Sequence, residues 1–199
     1  MSIPNPISVR YRLLRWYDQY GRDLPWRYKQ DQIPDPYCVW VSEIMLAQTT
    51  VTVVKIFFND FINRWPTIND LAEAELGDVL HAWQGLGYYA RARNLHKSAQ
   101  IIVGELGGRF PNTEMALKKL PGVGNYTAAA IAAIGFKKPT TPVDVNIERV
   151  VARLFAFTDA LPKGRAQIRE RASVLTPILR SGDFAQALMD LGSLICNPK

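Results

Sequence analysis

The 199-residue chain has only two cysteines, Cys38 and Cys196, and they stand far apart. They give no disulfide framework, and a reducing, cytoplasmic setting is the simplest expectation. No apolar run approaches the ~18 residues that suggest a membrane span, so no membrane partner is expected. The opening stretch, Met1–Val9, lacks the basic, apolar and small-residue order of a secretory signal. Alternating strand patterns are scarce, and no repeat or low-complexity stretch occurs. What is present is an ordinary globular composition, 48% hydrophobic and 21% charged. The length accommodates one large domain or two small ones. A net charge of +6 and a pI near 9.4 fit a nucleic-acid partner, a balance shared with many proteins that never touch DNA.

Helical periodicity runs through nearly the whole chain. The spacing predicts helices over 9–20, 37–49, 51–64, 71–74, 76–84, 90–106, 113–120, 125–134, 145–155, 165–179 and 184–195. Asp35-Pro36 is a capping side chain followed by a proline in the first turn, and Gly107-Gly108 closes the 90–106 run. The linkers are short. The expected fold class is therefore all-α, two packed helical lobes.

Between two of these segments stands Leu120-Pro121-Gly122-Val123-Gly124. Gly122 and Gly124 around Val123 permit a tight hairpin and remove side chains where a partner's backbone could approach. The helix that follows offers free N–H groups and the positive end of its dipole, which suits a phosphate. On spacing alone, a plain helix-to-helix turn is an equal reading.

Two carboxylates sit in unlike settings. Glu43 lies in the middle of YCVWVSEIMLAQT, a segment apolar nearly all round and so expected to be buried. Burial of a carboxyl favours its protonated form, as a general acid requires. A structural glutamate paired with an arginine from elsewhere is the competing reading. Asp144 follows Pro142-Val143 and opens the 145–155 run, where the local pattern reads first as a helix N-cap. A carboxylate at a helix start is held as an anion by the dipole and the N–H donors. One group pushed toward neutral and one toward ionised is the division of labour of glycosidic-bond cleavage, where the leaving group is protonated and a sugar cation is stabilised.

Leu120–Thr127, preceded by Lys118 and Lys119, resembles the helix-hairpin-helix motif of DNA repair glycosylases. LPWRY at 24–28, VWVSEIML at 39–46, GLGYYARARNLH at 85–96, PVDVNIERV at 142–150 and DLGSLIC at 190–196 resemble the adenine DNA glycosylase (MutY) family, from Leu24 to Cys196. The resemblance implies a two-lobed helical glycosylase core. A six-helix, barrel-like lobe would span 30–137, with the helix-hairpin-helix at 113–134. Residues 1–29 and 138–199 would form the second lobe. It implies a monofunctional enzyme of base excision repair that removes adenine from A:8-oxoguanine or A:G mispairs in double-stranded DNA. The expected state is a monomer working on the nucleoid of a bacterial cytoplasm.

Carried over by position, Glu43 is the expected acid and Asp144 the expected carboxylate at the sugar. Tyr126 stands where endonuclease III-like lyases carry a nucleophilic lysine. A phenol makes no Schiff base, so the resemblance implies no lyase step. Trp26, Arg27 and Leu46 are the expected walls of the adenine pocket. Gln48, Leu86 and Tyr88 are expected to fill the vacated stack once the base has left the duplex. Ordinary interhelix packing is the other reading of Leu86 and Tyr88. Thr49, Gly122, Val123 and Gly124 complete the expected DNA contacts. Arg91 and Arg93 read equally as phosphate ligands or as a solvated helix face.

Three features depart from the family pattern. Ala47 replaces a second glutamine, and Val145 replaces the glycine after the catalytic aspartate. Cys196 resembles the first ligand of a four-cysteine iron–sulfur site, and the chain stops at Lys199. The expectation is a chain truncated before the cluster loop and the carboxy-terminal domain. It could not bind the [4Fe-4S] cluster of full-length relatives, because one matching cysteine cannot hold it. A monovalent cation at the hairpin carbonyls is the other implied group. The nearest rivals are a thymine or uracil mismatch glycosylase and a catalytically impaired DNA-binding core.

Overall fold

The computed structural model describes residues 4–28, 32–158 and 164–198. They form helices and connections with no strand among the described residues, so the all-α expectation holds. In order, the helices are α1 (Pro6–Tyr20), α2 (Pro36–Leu46), α3 (Val51–Arg64), α4 (Ile68–Glu73), α5 (Leu76–Ala82), α6 (Ala90–Leu106), α7 (Glu114–Leu117), α8 (Asn125–Ala130), α9 (Val145–Leu154), α10 (Arg165–Leu175) and α11 (Ser181–Leu194). A π-helical turn, Ile131–Gly135, continues α8. No described helix is long and apolar enough to cross a membrane.

Local chemistry sets most of the helix ends. The Asp35 carboxylate accepts the Tyr37 N–H, with Pro36 in the first turn of α2. Gly107, at φ +61°, closes α6 in the left-handed conformation. Thr67 and Asp70 form a reciprocal capping box that starts α4 at Ile68, ahead of the predicted Leu71. Other boundaries also differ from the periodicity, and three of them have a local cause. α1 begins at Pro6 rather than Val9, because the Asn5 side chain accepts the N–H groups of Ile7 and Ser8. α2 stops at Leu46, where the chain turns through Gln48 at φ +64°. α10 stops at Leu175 rather than 179: Pro177 holds Thr176 in extended backbone, at ψ 123°.

The helices group into two compact units. One is continuous, Asp23–Ile131; the other joins Met1–Arg22 to Ala132–Lys199. The expected lobe boundary at residues 29 and 30 lies outside the described residues. The continuous unit buries Trp40, Phe61, Trp83, Leu71, Leu95, Ile102 and Leu117. Its aromatic pairs meet edge to face, Phe61 with Trp65 at 4.7 Å and Trp40 with Phe110 at 5.4 Å between centroids. In the discontinuous unit, Leu13 of α1 packs with Ile147, Val150 and Val151 of α9, Ile168 and Leu175 of α10, and Phe184 and Leu188 of α11.

Candidate functional site

In the continuous unit α2 is buried almost throughout, from Tyr37 to Met45. Glu43, 5% exposed, lies within that apolar surround, and its backbone carbonyl accepts the Ala47 N–H at 3.2 Å. Of the expected pocket walls, Trp26 is buried edge to face against Phe58, at 5.4 Å between centroids. Arg27 and Leu46 are half-buried.

Beyond α2 the chain exposes Ala47 and Gln48. A second exposed turn, Gly85–Tyr89, precedes α6. Gly85 (φ +103°) has no room for a side chain, since an added Cβ would stand 2.7 Å from the Phe57 ring. Leu86 is 4% exposed, while Tyr88 is 65% exposed and sits at φ +48°. Leu86 is packed inside, and the aromatic side chains this turn offers to solvent are Tyr88 and, less fully, Tyr89. Gln48 and Tyr88 both adopt a left-handed backbone that L-residues rarely take, a conformation that costs on the order of 1–3 kcal/mol at each.

Arg91, in the first turn of α6, joins the two segments. Its Nη1 donates to the carbonyls of Ile44 (2.9 Å), Met45 (2.8 Å) and Ala47. Its Nη2 donates to Thr49 Oγ1 (2.9 Å) and to the carbonyls of Leu86 (2.8 Å) and Gly87 (3.3 Å). The guanidinium carbon lies 5.6 Å from the ring centroids of both Trp83 and Tyr88. Burial pulls the Arg91 guanidinium below its usual range. The sequence alternatives for Arg91, phosphate ligand or solvated face, both give way to an internal brace; Arg93 remains exposed.

Two further residues of α6 support the hairpin. The Ser98 hydroxyl donates to the Pro121 carbonyl at 3.0 Å. Asn94 lies directly beneath Gly122, whose φ is +76°; a Cβ there would stand 2.9 Å from the Asn94 Cβ. Gly122 and Gly124 are exposed and Val123 is buried. Gly124 precedes α8 at φ −85°, with open space where a Cβ would be. Tyr126, in the first turn of α8, is half-buried. Lys118 and Lys119 are exposed ahead of the hairpin. The carbonyls of Leu120 and Pro121 accept the Val123 N–H and the Ser98 hydroxyl, and each keeps a second lone pair of the hard type a monovalent cation takes.

Asp144 opens α9 in the discontinuous unit. Its Oδ1 caps the helix by accepting the Ile147 N–H at 2.8 Å, and its Oδ2 accepts Asn146 Nδ2 at 2.9 Å. Asn146 Oδ1 in turn accepts Arg149 Nη2 at 2.9 Å, and Arg149 also donates to the carbonyls of Gly192 and Cys196. Val145 is 66% exposed next to the carboxylate. The Cys196 thiol accepts a hydrogen bond from Arg153 at 3.0 Å. Among the described residues no group of three or more His, Cys, Asp or Glu could hold a metal ion, and the chain's two thiols are Cys38 and Cys196. These donors do not fit a four-thiolate cluster.

Sequence reasoning singled out Arg91 for another role and missed Asn94, Ser98, Asn146 and Arg149. The spacing 91, 94, 98 along α6 marks one helical face, a signal that was available. Nothing local identified what that face touches.

The chain's relatives are consistent in kind. Residues 41–177 match the model of the HhH-GPD superfamily base excision DNA repair proteins. The chain is 46% identical over 200 residues to the adenine DNA glycosylase of Homo sapiens, covering 96% of this chain and 36% of that protein. It is 41% identical to the adenine DNA glycosylase of Buchnera aphidicola subsp. Baizongia pistaciae, covering 94% of this chain and 53% of that one. The chain thus spans about half or less of these relatives' lengths. Among solved structures, a thermostable thymine-DNA glycosylase superposes with a TM-score of 0.85 at 29% identity, covering 98% of this chain and 88% of that one. With a family match over more than half of its length, the chain belongs to the HhH-GPD superfamily of base excision DNA repair proteins.

Proposed function

We propose that this chain is the glycosylase core of an enzyme that removes adenine from A:8-oxoguanine or A:G mispairs in double-stranded DNA. The observation that carries this reading is the 46% identity, over nearly the whole chain, to an adenine DNA glycosylase. In the proposed reaction the C1′–N9 bond of the adenine nucleotide breaks. Glu43 delivers its proton to the leaving base, and Asp144 faces the developing sugar cation. Water adds to C1′ and gives up a proton, leaving adenine and an abasic site. Tyr126 has no amine with which to open the sugar as a Schiff base, so the strand stays intact.

The remaining roles belong to the same proposal. Trp26, Arg27 and Leu46 border the extruded base. Gln48 and Tyr88, with Thr49 and Leu86 behind them, enter the stack that the base vacates. Gly122, Val123 and Gly124 bring the hairpin's backbone against a phosphate, and the Leu120 and Pro121 carbonyls are where a monovalent cation would sit. A second reading, thymine or uracil release from mispairs with guanine, draws support from the 0.85 TM-score to a thymine-DNA glycosylase. Single-turnover base release from A:8-oxoguanine, A:G, T:G and U:G duplexes separates the two. Adenine release without strand scission is expected. Faster thymine release would transfer the assignment, and scission before alkali would point to a lyase.

A further inference from the structure

One face of α6 braces both the hairpin and the two exposed turns of the continuous unit. Asn94 and Ser98 seat the hairpin from below. One turn earlier, a single guanidinium binds both exposed turns at once. On one side Arg91 grips Ala47 and Thr49, which flank Gln48; on the other it grips Leu86 and Gly87 and lies against the Tyr88 ring. A cation in the first turn of a helix opposes the helix dipole, so the local setting of Arg91 is unfavourable and its compensation lies in these distant acceptors. Both turns it grips hold a left-handed non-glycine residue, Gln48 and Tyr88. Such backbones persist only where their surroundings over-determine them. The two terminal nitrogens of a planar guanidinium can reach acceptors on two segments together, which the compact ammonium of a lysine cannot.

We propose that Arg91 is a positioning residue that makes the Gln48 and Tyr88 turns one preset wedge, and that the wedge's task is to open the mispair. This rests on the glycosylase reading above. The wedge is held in shape before DNA arrives, so opening the duplex requires no reordering of either turn at the moment of insertion. Arg91 itself touches no base or sugar. Its contribution is confined to the step in which a paired base leaves the stack.

The test uses the full chain, with parent, Arg91→Lys, Tyr88→Ala and the double variant compared at saturating enzyme. One duplex carries the target adenine opposite 8-oxoguanine; in the other the same adenine lies in a bubble of three unpaired positions. Arg91→Lys is expected to slow adenine release from the mispair by ~10- to 100-fold, the scale on which small misplacements act. Release from the pre-opened adenine should change by less than about threefold, because the wedge has nothing left to open. In the Tyr88→Ala background the lysine should add little, since Arg91 acts through that turn. Equal losses on both duplexes, or losses that multiply in the double variant, would overturn the proposal. Arg91→Gln, which keeps two donors on a shorter stem and loses the fork, should show the same pattern and serves if Arg91→Lys fails to fold.

Fluorescence of 2-aminopurine in place of the target adenine separates this proposal from the one beneath it. A parent that raises the fluorescence but releases no base loses the glycosylase reading, and the wedge still stands if Arg91→Lys abolishes the rise. A parent that does neither removes both.

Discussion

Asp190, fully buried in α11, accepts both the backbone N–H of Arg22 (2.9 Å, at Oδ2) and its side-chain Nε (2.7 Å, at Oδ1), from a residue 168 positions away. The pair ties the end of the first segment to the last helix of the discontinuous unit. Removing the buried carboxylate leaves the Arg22 N–H groups without their acceptor beside a guanidinium that is only partly exposed, at a cost of about 1–3 kcal/mol. Asp190→Ala is therefore expected to lower the melting temperature by roughly 5 °C. A melt within about 2 °C of the parent would show that the pair adds nothing net.

The two hairpin glycines should respond differently. Gly122→Ala forces a Cβ against Asn94 at φ +76°, so it should lower stability and duplex binding together. Gly124→Ala meets no protein atom within 4 Å, so beyond the small cost of alanine at the α8 N-cap its melt should stay close to the parent's. If a DNA phosphate approaches that open space, the Gly124 variant binds all duplexes more weakly, with a salt dependence about one unit shallower. Binding isotherms at several salt concentrations decide it; a Gly124→Ala protein that binds like the parent has no phosphate at its hairpin.

Glu43→Gln keeps the shape of the side chain within α2 but cannot give up a proton to adenine. Single-turnover release should fall by ~100- to 10,000-fold with DNA binding retained. A loss of melting temperature with near-parental rates would instead make Glu43 a structural group.

Asp144→Asn retains an oxygen for the Ile147 N–H, so the α9 cap should survive with little change in stability. Its amide nitrogen would face the Asn146 amide, breaking the second hydrogen bond as well as removing the negative charge. Turnover should fall while the melt changes little. Parental turnover would reduce Asp144 to a helix cap.

Cys38 offers a check by pH. Burial first of all, together with Asp35 and against a hydrogen bond from Tyr28, pushes its thiol up to about 11. Because the folded value lies above the unfolded one, the thiol form contributes stability below pH ~9, and that contribution is lost as pH rises from about 9 through 11. At pH 8, alkylation of Cys38 should be about 100-fold slower in the native protein than in urea, since only the thiolate reacts. Equal rates in both states would contradict the burial of this thiol.

The sequence by itself determined the helices and the chemistry they could carry. Asp35-Pro36, the Gly107 stop and the apolar run around Glu43 act within one or two turns, so residue identity alone specifies them. The helix start at Asn5-Pro6 and the stop before Pro177 were equally local signals, and the apolar periodicity alone overlooked both. Tertiary structure decided what the polar residues on those helices bind. Arg91 reaches acceptors 42 to 47 positions away, Arg149 reaches carbonyls 43 and 47 positions away, and Arg22 meets Asp190 across 168. Most of those acceptors are backbone carbonyls, which every residue possesses and no residue type marks. An arginine's partners of that kind are fixed only when packing brings the carbonyls to it.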